Sequence, residues 1–478
     1  MANRTAPLHI PVFSLLALCT AGTASAGTEL TIYQDFAVMK DSLTLKLNAG
    51  SNAVRYQNIT RALEPSSVML LPRQADQSFI IKEQSYQNAP LSEERLLQAF
   101  EGQSIDFLVR FNDHETIKSG KIVRAPGISL NEPLSPMIEM DGTLQFQLPG
   151  HPLFPSNTGD QLLKPELNWV IQTAKPGNVE ADISYLTGGF GWDAAYNFIQ
   201  TPQGTMDASG WLTVRNHSGT GFDQLNVRLV AGEVNRIQPP YQAKMMIMER
   251  AMADDAGAEA VSEKAVDEFH LYTVPGTLAL KDGETKQIEF IKGSQIRYQT
   301  ELVYDGANLP PHINPEYVRT QQHVGTQGNS LVSVYKVFEN KLENGLGKPL
   351  PAGKVRFYQQ EGDGLVFIGE NRINHTPKDE TVRLFTGTAF DVVGERKQTE
   401  FVQYASQNRL RESIEILIKN RKEVPATVKV VEHLFRGARY ELTSVHTWEK
   451  DDAQTMHTLV SLPPGGEQTL RYTVEYRW

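Results

Sequence analysis

Chemistry in a protein begins with side chains that attack, titrate or bind metal, and in this chain those residues are scattered. A zinc-protease helix sets two histidines around a glutamate, yet His114-Glu115 has no histidine three residues after Glu115. A serine-hydrolase elbow needs a glycine on each side of the nucleophile, and Gly328-Asn329-Ser330-Leu331-Val332 lacks the second. Thr187-Gly188-Gly189-Phe190-Gly191-Trp192 has the glycines of a phosphate loop without the Lys-Ser/Thr ending. Beside Phe190, Trp192 and Tyr196, those glycines suit a backbone that passes close to packed rings. Trp211 poses the same choice between a sugar platform and a core ring. His446 and His457 are placed to meet across neighbouring strands, where a metal pair competes with two ordinary polar strand positions. Met245, Met248 and Met252 share one helical face, with Met246 beside them. Thioethers bind Cu(I), but methionine is also a soft apolar filler, the simpler account. Glycoside hydrolysis needs two carboxylates in a cleft, and abundance alone does not show which acids converge. On these grounds no residue is assigned a catalytic, cofactor-binding or metal role, and no cofactor is expected.

The elements that would position any site are read from periodicity. Leu43, Leu45 and Leu47 alternate with Thr44 and Lys46, and Ile414, Ile416 and Ile418 share one face. Both are patterns of half-buried strands. A short helix is expected after Ser92, which can cap Glu93, Glu94, Arg95, Leu96 and Leu97, with a stop at Gly102. The expected fold is all-β with minor α: an N-terminal β domain followed by antiparallel β-sandwich, immunoglobulin-like modules. Proline-rich and polar stretches place the divisions. Residues 1–26 read as a signal peptide and 27–150 as a β-rich domain with one short helix. A β-sandwich module at 151–310 carries a low-complexity insertion at 241–268. A central β module at 311–400 and a C-terminal β-sandwich module at 401–478 complete the chain.

An internal repeat runs through this plan. Trp211-Leu212-Thr213-Val214-Arg215-Asn216 leads through a turn into Leu225-Asn226-Val227-Arg228-Leu229. Ile414-Glu415-Ile416-Leu417-Ile418-Lys419-Asn420 leads likewise into Thr427-Val428-Lys429-Val430. Each unit is strand, cation, Asn, short connection, strand, which points to two related sandwiches.

Composition and compartment narrow the function classes. Over 478 residues the formal charge is 46 − 56 = −10, so the chain has no electrostatic footprint for nucleic acid. Apolar content of 40% is enough for packed cores and excludes a disordered chain. Arg4, the apolar stretch Ile10 to Leu18 and Ala24-Ser25-Ala26 form the n-region, h-region and cleavage site of a secretory signal. No other stretch is apolar enough for a transmembrane helix. Cys19 is the only cysteine, so cleavage after Ala26 leaves a mature chain without thiols, which fits a bacterial periplasm or secretion. The alternative is a lipoprotein acylated at Cys19, although bulky Leu18 sits where a small residue is expected. Sequons at Asn58, Asn216 and Asn374 matter only in a eukaryotic secretory pathway.

Several stretches carry a family resemblance. They are Tyr185-Leu186-Thr187-Gly188-Gly189-Phe190-Gly191-Trp192 with Tyr196, Leu346-Gly347-Lys348-Pro349-Leu350-Pro351-Ala352-Gly353-Lys354-Val355, Gly387-Thr388-Ala389-Phe390-Asp391-Val392, and Tyr472-Thr473-Val474-Glu475-Tyr476. Together they resemble the domain of unknown function 4139 family, the C-terminal domain of mucoidy-inhibitor-A-like bacterial envelope proteins, over roughly residues 165–478. Tyr33-Gln34-Asp35-Phe36-Ala37-Val38 is similar to the N-terminal domain that often precedes it, without the helical coil many relatives carry between the two. The resemblance implies an exported, β-rich envelope protein and transfers no catalytic residues.

The leading expectation is a non-catalytic envelope protein acting through contacts with an unknown protein or glycan. A second is an envelope-polysaccharide enzyme using unlocated carboxylates. A third is an outer-membrane β-barrel, because Leu470, Tyr472, Val474, Tyr476 and Trp478 alternate with polar residues up to the aromatic C-terminus. The cleavage site carries its own test. The intact mass of the exported protein is expected to begin at Gly27, and a diacylated Cys19 at the N-terminus would make the chain a lipoprotein instead.

Overall fold

The structure, a computed structural model, describes residues 18–20, 22–23, 27–74, 78–88, 92–111, 114–129, 132–155, 165–232, 234–236, 261–266, 268–307, 309, 317–318, 321–326 and 328–478. Most of the expected leader and residues 241–260, with Met245, Met248 and Met252, lie outside the described residues. The fold is all-β, built from antiparallel sheets with little helix. Two compact units divide the chain. One comprises Met1–Gly191, Arg215–Arg228 and Gly276–Glu284, the other Trp192–Val214, Leu229–Pro275 and Thr285–Trp478.

The first unit opens with β1 (Thr28–Ile32), β2 (Ala37–Leu47), β3 (Gly50–Tyr56), β4 (Met69–Pro72) and β5 (Ile80–Gln87). The helix α1 (Glu93–Ala99) follows, with the Ser92 hydroxyl accepting from the Arg95 N–H at 3.3 Å as the capping residue. Next come β6 (Ser104–Phe111), β7 (His114–Arg124), β8 (Met137–Met140), β9 (Thr143–Gln145) and β10 (His151–Leu153). They form an antiparallel sheet in the order β9-β8-β7-β6-β10, and Leu97 of α1 joins its core of Ile105, Phe107, Ile122, Ile138 and Met140. After this small sheet the chain returns. β11 (Glu166–Thr173) pairs with β3 and β5, and β12 (Gly177–Thr187) pairs with β2 from Ala37 to Leu47. These strands lie beyond the expected division at residue 150 yet belong to the same unit. Leu43, Leu45 and Leu47 are buried, as their alternation requires.

The second unit takes most of its strands from the remainder of the chain. Two long strands, β13 (Phe190–Gln200) and β14 (Thr205–Asn216), start in one unit and finish in the other, as does β15 (Phe222–Ala231). After β16 (Leu278–Leu280) come β17 (Thr285–Asp305), β18 (Leu331–Glu339), β19 (Gly353–Glu361), β20 (Gly364–Ile373) and β21 (Thr381–Tyr404). The chain ends with β22 (Arg409–Asn420), β23 (Ala426–His433), β24 (Tyr440–Ser444), β25 (Thr455–Leu462) and β26 (Glu467–Arg477). In the C-terminal sandwich β22 pairs with β21 and β26, and β24 pairs with β26. β23 lies between β25 and the end of β17. Ile414, Ile416, Ile418, Val428, Val430, Leu470, Tyr472, Val474 and Tyr476 fill the core. The apolar alternation of the last strand therefore faces a packed interior. The sheets are open, and among the described residues no helix is long and apolar enough to cross a membrane.

The repeat seen in the sequence is a repeated hydrogen-bonding device. Asn216 and Asn420 are both fully buried at the ends of β14 and β22. The Asn216 Oδ1 accepts the Ser218 N–H at 3.0 Å, and its Nδ2 donates to the carbonyls of Thr220, Leu280 and Lys281. Asn420 Oδ1 accepts the Lys422 N–H at 3.0 Å, and its Nδ2 donates to Val424, Leu462 and Pro463. A third copy, at Asn340, accepts from the Gly347 N–H and donates to the carbonyls of Lys348 and Pro377. Each amide supplies the inward-turned carbonyls that water no longer reaches.

This assigns unequal costs to two substitutions. Asn420→Ala leaves carbonyls without a donor, at about 1–3 kcal/mol for each group stranded. Asn420→Asp is expected to destabilise more, because it turns an oxygen toward carbonyl oxygens. Urea unfolding of both variants checks the order, and equal stabilities would show that the amide is not what holds the corner.

Candidate functional site

The densest chemistry lies in the C-terminal sandwich of the second unit. Arg396 on β21 and Glu432 on β23 face each other in the core, with side chains 1% and 0% exposed. The guanidinium donates to Glu432 from Nε at 2.8 Å and Nη2 at 2.9 Å, a two-pronged pairing that carboxylates match only with arginine. The Tyr472 hydroxyl of β26 donates to the same carboxylate at 2.6 Å. Burial, then the Glu432 charge, holds the Tyr472 phenol well above its ordinary pKa, so it stays a donor. One turn of chain away, Arg436 pairs with Glu412 at 2.8 Å and has the rings of Phe435 and Phe401 about its guanidinium.

Both arginines also hold the backbone at residues 317–318 and 321–325. Arg436 donates to the carbonyls of Val318, Gln321 and Val324, and Arg396 to that of Gly325. Tyr317 and His323, joined at 2.9 Å, thereby stand on an anchored backbone. These charges are compensated on the spot and do not open to a cleft, so they are machinery for holding a loop.

A second buried charge has no such partner. Lys336 of β18 is 8% exposed, and its Nζ donates to Gln200 Oε1 at 3.2 Å and Thr300 Oγ1 at 3.0 Å. It stands 5.1 Å from the centre of the Tyr298 ring. Burial, and then the charge of Lys422, lowers its pKa from 10.5 to about 8. The Tyr298 hydroxyl donates to the same Gln200 oxygen at 2.9 Å, while Gln200 Nε2 is buried without a hydrogen-bond partner.

A third feature is on the surface. β19 and β20 form a hairpin whose tip, Glu361 to Gly364, ends the sheet, and β20 is the terminal strand. Leu365, Val366 and Phe367 follow one another at 56%, 51% and 53% exposure, with Tyr358 edge-on to Phe367. Phe390, on an irregularity of β21 opposite β18, is 94% exposed.

The residues singled out from sequence are dispersed. His114 is exposed and Glu115 pairs with Arg110 at 2.6 Å. Ser330 is an exposed loop residue, and Trp211 is half-buried in β14. His457 is opposite Val431 and Glu449 and its Nδ1 lies 2.8 Å from Asp451, whereas the His446 N–H bonds Ser444; no pair forms. Among the described residues no three or more His, Cys, Asp or Glu side chains converge as a metal site. Gly189, at φ +82°, lies against the backbone of His217 and Ser218, so it allows a backbone crossing; the close neighbour is main chain where a packed ring was expected. The Leu346–Val355 stretch is a crossing too. Asn340 holds Gly347 and Lys348, Tyr196 OH donates to the Pro351 carbonyl at 2.7 Å, and a side chain on Gly347 would strike the Leu342 backbone. Arg396, Arg436, Glu432 and Lys336 were missed by sequence reasoning, because strand alternation marks a position as inward without naming what faces it.

Removing one partner of the Arg396–Glu432 pair leaves a charge in the core. Glu432→Ala is expected to cost about 3–5 kcal/mol, a large share of a domain's roughly 5–15 kcal/mol. The double change Arg396→Met with Glu432→Leu should recover most of it. Chemical unfolding followed by tryptophan fluorescence tests this, and a neutral single variant would show that the pair is not desolvated as drawn.

Compared with protein-family models the chain matches none, and comparison with curated proteins gives no match either.

Proposed function

We propose that this chain is a non-catalytic, exported protein of the bacterial envelope that works by binding another protein. The observation carrying this reading is the apolar run Leu365, Val366 and Phe367 on a terminal strand. An edge strand that ends a sheet offers unpaired main-chain groups, and proteins ordinarily blunt such edges with charge or proline. Here three consecutive large apolar side chains stand in water, which is costly unless a partner covers them. An extended segment added beside Leu365–Phe367 would extend the sheet and lay its side chains against these three, whereas further along β20 Gly369 and Asn371 already lie against Thr386 and Phe385 of β21. Leu365 and Val366, with Phe367 engaged edge-on by Tyr358, suit a protein partner better than a sugar, which stacks on open flat rings. The family resemblance supports an envelope setting, and the leader supports export.

A photo-crosslinking residue at Val366 in the exported protein tests the reading. One discrete protein adduct is expected, lost when Leu365→Ser and Phe367→Ser are introduced, with the melting temperature unchanged. No adduct, together with hydrolysis of envelope polysaccharide that the two changes leave intact, would overturn binding in favour of an enzyme.

A further inference from the structure

We propose that Lys336 is a site of reversible carbamylation by carbon dioxide. Its surroundings fit a carbamate better than an ammonium. Among the described residues no carboxylate accompanies the amine; Gln200, Thr300 and the Tyr298 ring are its polar and aromatic neighbours, and Leu384 lies opposite it on β21. Lys422 is the charged group felt at this position, and it opposes a second cation while favouring an anion. With its pKa near 8, the amine is available as a free nucleophile at mildly alkaline pH.

The unpartnered Gln200 Nε2 is the second, independent pointer. The amide orientation is fixed, since its oxygen must face the ammonium and the Tyr298 hydroxyl. That leaves two N–H donors buried with nothing to receive them, a costly state unless an acceptor arrives. The Nζ lone pair attacks the carbon of carbon dioxide and forms an N–C bond. One C=O pair moves to oxygen as the carboxylate, and a proton leaves to solvent. The product keeps one N–H beside one of its oxygens, the same donor–acceptor edge that an amide presents. Its N–H retains the bond to Gln200 Oε1, its oxygen takes the N–H of Gln200 Nε2, and the Thr300 hydroxyl is free to turn and donate. Carbon dioxide is small and uncharged, so it reaches an amine that larger electrophiles do not.

The test uses the full-length protein equilibrated with isotopically labelled carbon dioxide near pH 8 and read by carbon NMR. Beyond the carbamate of the α-amino terminus, one further resonance is expected, absent in Lys336→Met. Gln200→Glu, close to isosteric, supplies a carboxylate that holds the ammonium, so it should also abolish the resonance while circular dichroism shows the fold retained. Two protons leave between ammonium and carbamate. At fixed carbon dioxide pressure the carbamate-to-ammonium ratio therefore falls about a hundredfold for each pH unit lost. No resonance beyond that of the α-amino terminus in the wild type, an unchanged set of resonances in Lys336→Met, or full intensity of the further resonance in a folded Gln200→Glu would each overturn the proposal.

Discussion

A charge inside an apolar core must be neutralised where it stands, and the C-terminal sandwich is arranged around that requirement. Arg396 and Glu432 come from β21 and β23, and Tyr472 comes from β26. The pairing sets which strands face each other across this core, because a carboxylate displaced by one register position would turn out of the core and leave Arg396 unpaired. Arg436 with Glu412 repeats the solution nearby, and the donors left over on both guanidinium groups fix the backbone at residues 317–318 and 321–325. Arginine suits the task because its planar fork serves a carboxylate and backbone carbonyls together.

The same accounting governs the backbone. Chains of long strands turn sharply at their ends, and some of those turns are buried. Asn216, Asn340 and Asn420 solve this with one amide each, accepting from the following loop and donating to strand-end carbonyls. The Leu346–Val355 stretch belongs to this layer of the structure. Its glycines and prolines are shaped for a close crossing held by Asn340 and Tyr196, which explains why so distinctive a sequence contributes no reactive group.

Against that background of satisfied polar groups, two places stand out. Among the described residues Lys336 is a buried cation without an anion, beside an amide nitrogen without an acceptor. The β19–β20 hairpin exposes three consecutive large apolar side chains on a terminal strand. One is an unsatisfied interior and the other an uncovered exterior. Each is a local departure from polar satisfaction or apolar burial, and such departures are where function concentrates.

Local pattern by itself determined the all-β class, the strand faces at Leu43–Leu47 and Ile414–Ile418, and the capped helix after Ser92. Those features depend on neighbours within a few residues, and alternation or a capping hydroxyl is visible at that range. It also revealed the Asn216 and Asn420 repeat, because strand, cation, Asn and the bonds to Ser218, Thr220, Lys422 and Val424 fall within four residues, although each amide also reaches carbonyls far along the chain. Asn340 escaped notice because its partner residues Gly347 and Lys348 lie seven and eight positions on. Tertiary structure alone decided that β11 and β12 return to pair with β3 and β2, that Arg396 meets Glu432, and that Lys336 meets no carboxylate. Pairing partners in a sheet are chosen by register across long separations, and the alternation that marks a residue as buried is blind to what lies opposite it.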